Sequence, residues 1–112
     1  MKMSLYAQFI KEREGFETLE VEHGYATYKQ VEKDMVYVRD IFVEENFRQN
    51  GLAYELSIQL AEIAKGLGCT KITGSVCVSD DIGVTISMKF LLGNGFKFSH
   101  AHGTMLYFVK EI

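Results

Sequence analysis

Proline is absent from all 112 residues, and no low-complexity stretch takes its place. That excludes a polyproline spacer or a flexible linker between domains, and no internal repeat announces a solenoid. Cysteine is scarce. Cys69 and Cys77 form no CxxC and have no zinc-ligand spacing, so the expectation is two reduced thiols in a cytoplasmic protein. Met1-Lys2-Met3-Ser4 leads into no apolar segment of the signal-peptide kind, and no run reaches the ~18 apolar residues of a membrane-spanning helix. Basic charge is in short supply too. The net charge of −3 and pI of about 5.6 disfavour nucleic acid as a partner.

What is present is material for a core. Hydrophobic residues make up 47% of the chain and aromatics 12%. A chain of this size buries roughly 65% of its unfolded surface. One domain over residues 1–112 is therefore expected, with no need of a disulfide or metal staple.

Ser4 suits the cap of a helix over 5–14, with Leu5, Tyr6, Phe9 and Ile10 on an inward face and Gly15 as its stop. Strand formers then run over 20–31, and Glu32-Lys33-Asp34 reads as a turn. The stretch 35–43 is nearly continuous apolar and β-branched, which predicts a central strand, paired as a hairpin with the one before it. Arg39 and Asp40 interrupt it. As neighbours on a strand they are expected on opposite faces, each needing a partner or a cavity. A helix over 54–67 follows, with Leu56, Leu60, Ile63 and Leu67 inward. A strand over 70–78 is the natural parallel partner of 35–43 through a right-handed crossover. The polar stretch 79–83 reads as a loop, 84–92 as a helix with Ile86 and Phe90 inward and Leu91 as a third candidate, and 96–101 with 104–110 as a final hairpin around His102-Gly103. The predicted order is α-β-β-α-β-α-β-β: an α/β chain with an α+β mixed sheet.

Between the central strand and the long helix lies Arg48-Gln49-Asn50-Gly51-Leu52-Ala53. A strand, a glycine turn and a helix N-terminus make an anion site. The first N–H groups of a helix lack internal partners, the dipole adds positive charge, and a phosphate can bind largely to backbone. The carboxyl ends of the parallel strands lie on the same side as this turn, where α/β sheets hold ligands.

With these residues in place the chain resembles the GNAT superfamily of acyl-CoA-dependent N-acyltransferases. Three features carry the likeness. Arg48, Gly51 and Ala53 fit the Arg/Gln-x-x-Gly-x-Gly/Ala turn that follows a strand ending in valine, here Val43. The elements flank that turn in the family's order. Gly95-Phe96 matches the Gly-Phe pair that opens the strand after the last helix. The likeness extends over about 36–108 and is weak before Tyr25, so the chain is similar to a shortened member. The resemblance implies a GNAT-like fold with one central parallel strand pair splayed at the cofactor site. It implies acetyl-CoA as co-substrate, with its pyrophosphate on the backbone of Arg48, Gln49, Asn50, Gly51, Leu52, Ala53 and Tyr54. Its pantetheine arm would pair with Ile41, Phe42 and Val43, and its thioester would lie near Asp40 and the strand 74–78. The sequence departs from the family at two places. Leu91 occupies the position of a tyrosine that protonates the leaving thiolate, with Ser87 and Val84 at the family's alanine and asparagine. Glu44-Glu45 replaces the usual proline.

The implied reaction is attack of an amine, on a small molecule or a protein, on the thioester. A lysine-like ammonium costs about 4.6 kcal/mol to deprotonate at pH 7, and an α-amine about 1.4, so a general base is wanted. Asp40 is the first choice, ahead of Glu44, His23 and Tyr37; its structural alternative is a charge paired with Arg39 or Lys29. Ser87 or Ser79 is the candidate replacement for the missing tyrosine. His100 and His102 share a strand face, and two ligands make a poor metal case. Cys77 has no activating base near it in sequence. The alternative function is a catalytically impaired relative that binds CoA or serves protein interaction. A homodimer through the sheet edge is left open.

Overall fold

The computed structural model describes residues 3–78 and 81–112, with backbone alone over 81–86. Ser79, one of the two serines expected to replace the tyrosine, lies outside the described residues. The elements run α1 (Leu5–Glu14), β1 (Glu17–Val21), β2 (Gly24–Glu32), β3 (Met35–Val43), a 3-10 turn (Glu45–Phe47), α2 (Leu52–Gly66), β4 (Lys71–Cys77), α3 (Asp81–Gly93), β5 (Lys97–His102) and β6 (Met105–Glu111). The six strands form one sheet in the order β1-β2-β3-β4-β6-β5. Every pairing is antiparallel except β3 with β4. The expected parallel pair is therefore present, in a mixed sheet.

Most boundaries shift by a residue or two from the sequence reading, and two differences are larger. The strand expected over 20–31 is two strands, β1 and β2, folded at Glu22 and His23. His23 takes a left-handed φ of 72°, a conformation that few side chains adopt but that histidine tolerates better than most; no Asn-Gly signal marked the turn. Helix α3 starts at Asp81 rather than at Val84.

Helix α1 is capped as expected: the Ala7 N–H donates to Ser4 Oγ at 3.0 Å, and the chain turns out at Gly15. Its inward face is different. Ala7 and Ile10 are buried, whereas Leu5 is 84% and Phe9 52% exposed. The small Ala7 sets the line of closest approach, and Tyr6 leans on Tyr25 with ring centroids 5.1 Å apart. In α2 the buried line is Leu56, Leu60 and Ala64. Leu67, expected inward, is the C-cap and is largely exposed.

The strand registers sort side chains onto two faces. Gly24, Ala26, Val36, Val38, Ile72, Gly74 and Phe108 face α2 and α3. There Leu60, Ala64, Cys69, Leu91 and Phe96 join Ala26, Val36, Ile72, Val76 and Phe108 in the buried core. Gly24 admits no side chain, because a Cβ there would lie 2.7 Å from the Phe42 carbonyl oxygen. Tyr25, Thr27, Tyr37, Asp40, Phe42 and Ser75 occupy the opposite face, where α1 packs.

The β2–β3 ladder slips between Thr27 opposite Asp40 and Tyr28 opposite Val38, leaving Arg39 as the extra residue of a β-bulge. A bulge bends its strand and raises the local twist. The parallel pairing of β3 with β4 stops at the same place, at Val38 opposite Gly74. From there β3 runs on to Val43 beside β2 and β4 runs on to Cys77 beside β6, so the two strands part. The bulge also corrects the expectation that Arg39 and Asp40 point to opposite faces: alternation breaks at the inserted residue, and both contact groups on the α1 side.

At the other end of the sheet β5 is exposed at every residue and carries its own register slip between Phe98 and His100. Phe98 still packs edge-on against Phe108, at 5.8 Å.

Phe108 is among the largest fully buried side chains and 1% exposed. Phe108→Ala is expected to lower unfolding free energy by about 3–5 kcal/mol, read as a shift of the urea midpoint with an unchanged slope.

Candidate functional site

Three features meet at the parted strands. The first is the start of α2. Gly51 precedes the helix at φ 83° and ψ 3°, with no side-chain cap bond. A Cβ at Gly51 would meet no other atom within 4 Å, so it is the left-handed backbone, not crowding within the fold, that demands glycine here. The N–H groups of Leu52, Ala53 and Tyr54 begin a helix without a side-chain acceptor in front of them. Gln49 is also left-handed, at φ 64°, so the turn departs from ordinary backbone twice within a few residues.

The second feature is the cavity. A space of about 800 Å³ extends from the α2 N-terminus to the gap between β3 and β4. Of the residues singled out in the sequence, Asp40, Ile41, Val43, Arg48, Gln49, Gly51, Leu52, Ala53, Tyr54 and Ser87 line it. Phe42 and Asn50 do not. Phe42 points to the opposite face, toward Tyr25 at 5.5 Å, where it lines a second cavity of about 350 Å³ with Glu20, His23, Tyr25 and Glu44. Three cations border the main cavity: Arg39, Arg48 and Lys110. Arg48 ties the turn to the strand, since its Nε donates to the Val43 carbonyl at 2.9 Å. One of the three backbone positions expected to receive a pantetheine arm thus already has its carbonyl engaged.

The third feature is a polar network on the α1 face. Thr27 Oγ1 donates to Asp40 Oδ2 at 2.7 Å and Arg39 Nε donates to the same oxygen at 3.0 Å. Arg39 Nη1 donates to Glu14 Oε1 at 2.8 Å, and the guanidinium lies 4.2 Å from the centre of the Phe16 ring. Burial pulls the Arg39 pKa down, but the hydrogen bonds to Glu14 and Asp40 outweigh it and leave the pKa above its ordinary value. Asp40 is thus paired with Arg39 and not with Lys29, and its Oδ1 carries none of these bonds. Beside it, Tyr25 is pushed up to about 12 from 10.0, first by a side-chain hydrogen bond with Tyr6, then by burial and by the charge of Asp40.

His23 and Glu44 form a close pair, Nδ1 to Oε2 at 2.6 Å. The imidazole stacks on Phe47 at 3.5 Å and 7°, and Phe47 borders the main cavity. The β1–β2 turn is thereby fastened to the loop that leads into α2.

Ser87 is exposed on the cavity wall, and Leu91, one turn later, is buried against Gly74, where an added Cβ would lie 3.3 Å from Leu91 Cδ2. Sequence reasoning passed over Ser75 and Lys110. Ser75 lines the cavity just past the last residue of β4 that pairs with β3, and its Oγ is 2.7 Å from Tyr37 Oη. A hydroxyl on a strand at the end of a parallel pair, two places beyond the residue opposite a tyrosine, was the available signal. Among the described residues, no group of three or more His, Cys, Asp or Glu side chains is placed to hold a metal ion, and no helix is long and apolar enough to cross a membrane.

Residues 7–84 match the family model of the Acetyltransferase (GNAT) family. No curated protein matches the chain. Among solved structures, PaiA N-acetyltransferase from Thermoplasma acidophilum in complex with coenzyme A superposes with a TM-score of 0.75 at 14% identity, over 96% of this chain and 69% of that one. A GNAT family acetyltransferase from Elizabethkingia anophelis with acetyl-CoA bound gives a TM-score of 0.73 at 14% identity, over 94% and 82%. IAA acetyltransferase from Bacillus cereus gives 0.66 at 16%, over 80% and 69%. At such identities the likeness is one of fold.

Spectrophotometric titration is expected to find one tyrosine ionising near pH 12, and Tyr6→Phe should bring it back toward 10. The folded state holds the neutral phenol more tightly than the unfolded chain does. Its contribution to stability is therefore complete below pH 10 and is lost as pH rises from 10 to about 12.

Proposed function

The chain belongs to the GNAT acetyltransferase family, and from that premise we propose that it transfers an acetyl group from acetyl-CoA to an amine. One observation carries the reading: the uncapped N-terminus of α2 and the parting of β3 from β4 open on the same cavity. The first suits an anion bound by backbone N–H groups. The second suits an extended arm that takes the backbone groups β4 gives up. Solved relatives hold coenzyme A or acetyl-CoA, which supports the choice of co-substrate.

In this reading Gly51, Leu52, Ala53 and Tyr54 receive the pyrophosphate through their backbone, helped by Arg48 beside Gln49 and Asn50. Ile41, Phe42 and Val43 supply the strand edge for the pantetheine arm. The acceptor approaches from the α1 face, where Glu20, Glu44, Tyr25 and Phe42 surround the smaller cavity. Carboxylates and aromatic faces suit a cationic amine. Asp40 is the proposed base: Thr27 and Arg39 fix its Oδ2 and leave Oδ1 to accept the ammonium proton, directly or through water. Ser87, on the cavity wall, is a further polar group within the site. In this reading the protein works in the cytoplasm.

A second reading keeps the binding and drops the transfer. Its motive is Leu91, which stands where relatives place an acidic hydroxyl and is packed on Gly74.

Isothermal titration calorimetry with acetyl-CoA decides the first step, and saturable heat is expected. Gly51→Val should weaken binding by at least about tenfold while the chain stays folded. A side chain at positive φ costs about 1–2 kcal/mol, against a stability of about 5–15 kcal/mol for a typical domain. No heat with the wild type overturns the co-substrate assignment. Thiol release from acetyl-CoA with a panel of amines then separates transfer from binding alone.

A further inference from the structure

The Tyr37–Ser75 hydroxyl pair has no place in the site as the sequence reading drew it. It joins β3 to β4 at 2.7 Å, one residue beyond Gly74, where their backbone pairing ends. Ser75 borders the cavity. Tyr37 lies behind it, its ring held edge-on by Phe16 at 6.1 Å. Either hydroxyl can donate to the other, so the pair can pass a proton in one direction and reset. An apolar pair of the same shape could join the strands about as well, so strand pairing alone does not require these two hydroxyls.

We propose that Ser75 and Tyr37 form the proton relay that replaces the acidic side chain missing at Leu91. The proposal rests on the acyltransfer reading above. The two routes into the cavity differ: Leu91 lies on the α2–α3 face beside Gly74, whereas Ser75 faces the α1 side, from which the acceptor enters. The hydroxyl thus reaches the splay from the acceptor's side of the sheet.

The proton count closes without an outside acid. The amine nitrogen bonds to the acyl carbon, the carbon–sulfur bond breaks, and its electron pair leaves on sulfur. Ser75 Oγ gives its proton to that sulfur and takes one from Tyr37 Oη. The Tyr37 oxygen then takes up, through water, the proton that the new amide nitrogen sheds. Ser75 is the catalytic residue in this scheme; Tyr37 acts through it and is a positioning residue and proton reservoir.

The test measures kcat, KM and acetyl-CoA binding for Ser75→Ala, Tyr37→Phe, the double variant and Ser75→Thr, using the amine the wild type turns over best. Each single variant is expected to lower kcat by about 10²-fold, the low end for general acid catalysis, with acetyl-CoA affinity unchanged. The double variant should lose no more than Ser75→Ala alone, because the two act in series, and Ser75→Thr should keep most of the activity. Tyr37→Phe keeps the ring against Phe16, and thermal unfolding of each variant checks the fold. Full activity in both single variants, additive losses, or losses confined to KM overturn the relay and leave acyl transfer standing. A wild type that binds acetyl-CoA and releases no thiol with any amine overturns the transfer reading, and the relay with it.

Discussion

Between Val38 and Asp40 the third strand carries one residue more than its partner can pair. The inserted Arg39 turns β3 away from β4, and the loss of backbone pairing there creates a gap lined by groups that a sheet would otherwise use internally. The gap is not left weak. Arg39 is itself the tie that holds it open, reaching back to Glu14 at the end of α1 and sideways to Asp40 while lying over Phe16. Packing below the bulge is conventional, with Val36, Ile72 and Phe108 buried under α2 and α3. The ordered core and the open site are thus two halves of the same strands, divided at one residue.

The network around Asp40 decides how the α1 face behaves. Arg39 meets two carboxylates, Glu14 and Asp40, so its charge is spent within the fold. Around the smaller cavity the lining side chains apart from His23 and Val21 are acidic or aromatic: Glu20, Glu44, Tyr25 and Phe42. The main cavity, by contrast, is bordered by Arg48 and Lys110 beyond the Arg39–Asp40 pair. The smaller cavity is thus the more acidic of the two, and the larger one carries cations alongside Asp40.

Much of the architecture was legible because its signals are local. Ser4 and Gly15 bound α1, Gly51 marks the start of α2, and the apolar run of β3 identifies the centre of the sheet. The parallel partner followed from the crossover rule alone. What the sequence concealed depends on partners distant in the chain. The bulge at Arg39 exists only relative to β2. The turn at His23 uses a left-handed residue without the usual glycine or asparagine. The face of α1 was misjudged because Ala7, the residue of closest approach, carries little hydrophobic weight in a periodicity count. Of the site residues, those on the turn before α2 were readable from chain order, whereas Ser75 meets Tyr37 across 38 positions and becomes visible only through the parallel register.

The outermost strand has a different sort of importance. Nothing on β5 is buried, and its free side offers unpaired backbone groups of the kind that recruit strands from other molecules. Its ladder is broken at Ser99, and Lys97, His100 and His102 spread polar groups along it. A kinked, solvated border is a poor template for extension. The same geometric device that parts β3 from β4 at Arg39 recurs at the far edge, where a broken ladder disfavours edge-to-edge growth of the sheet.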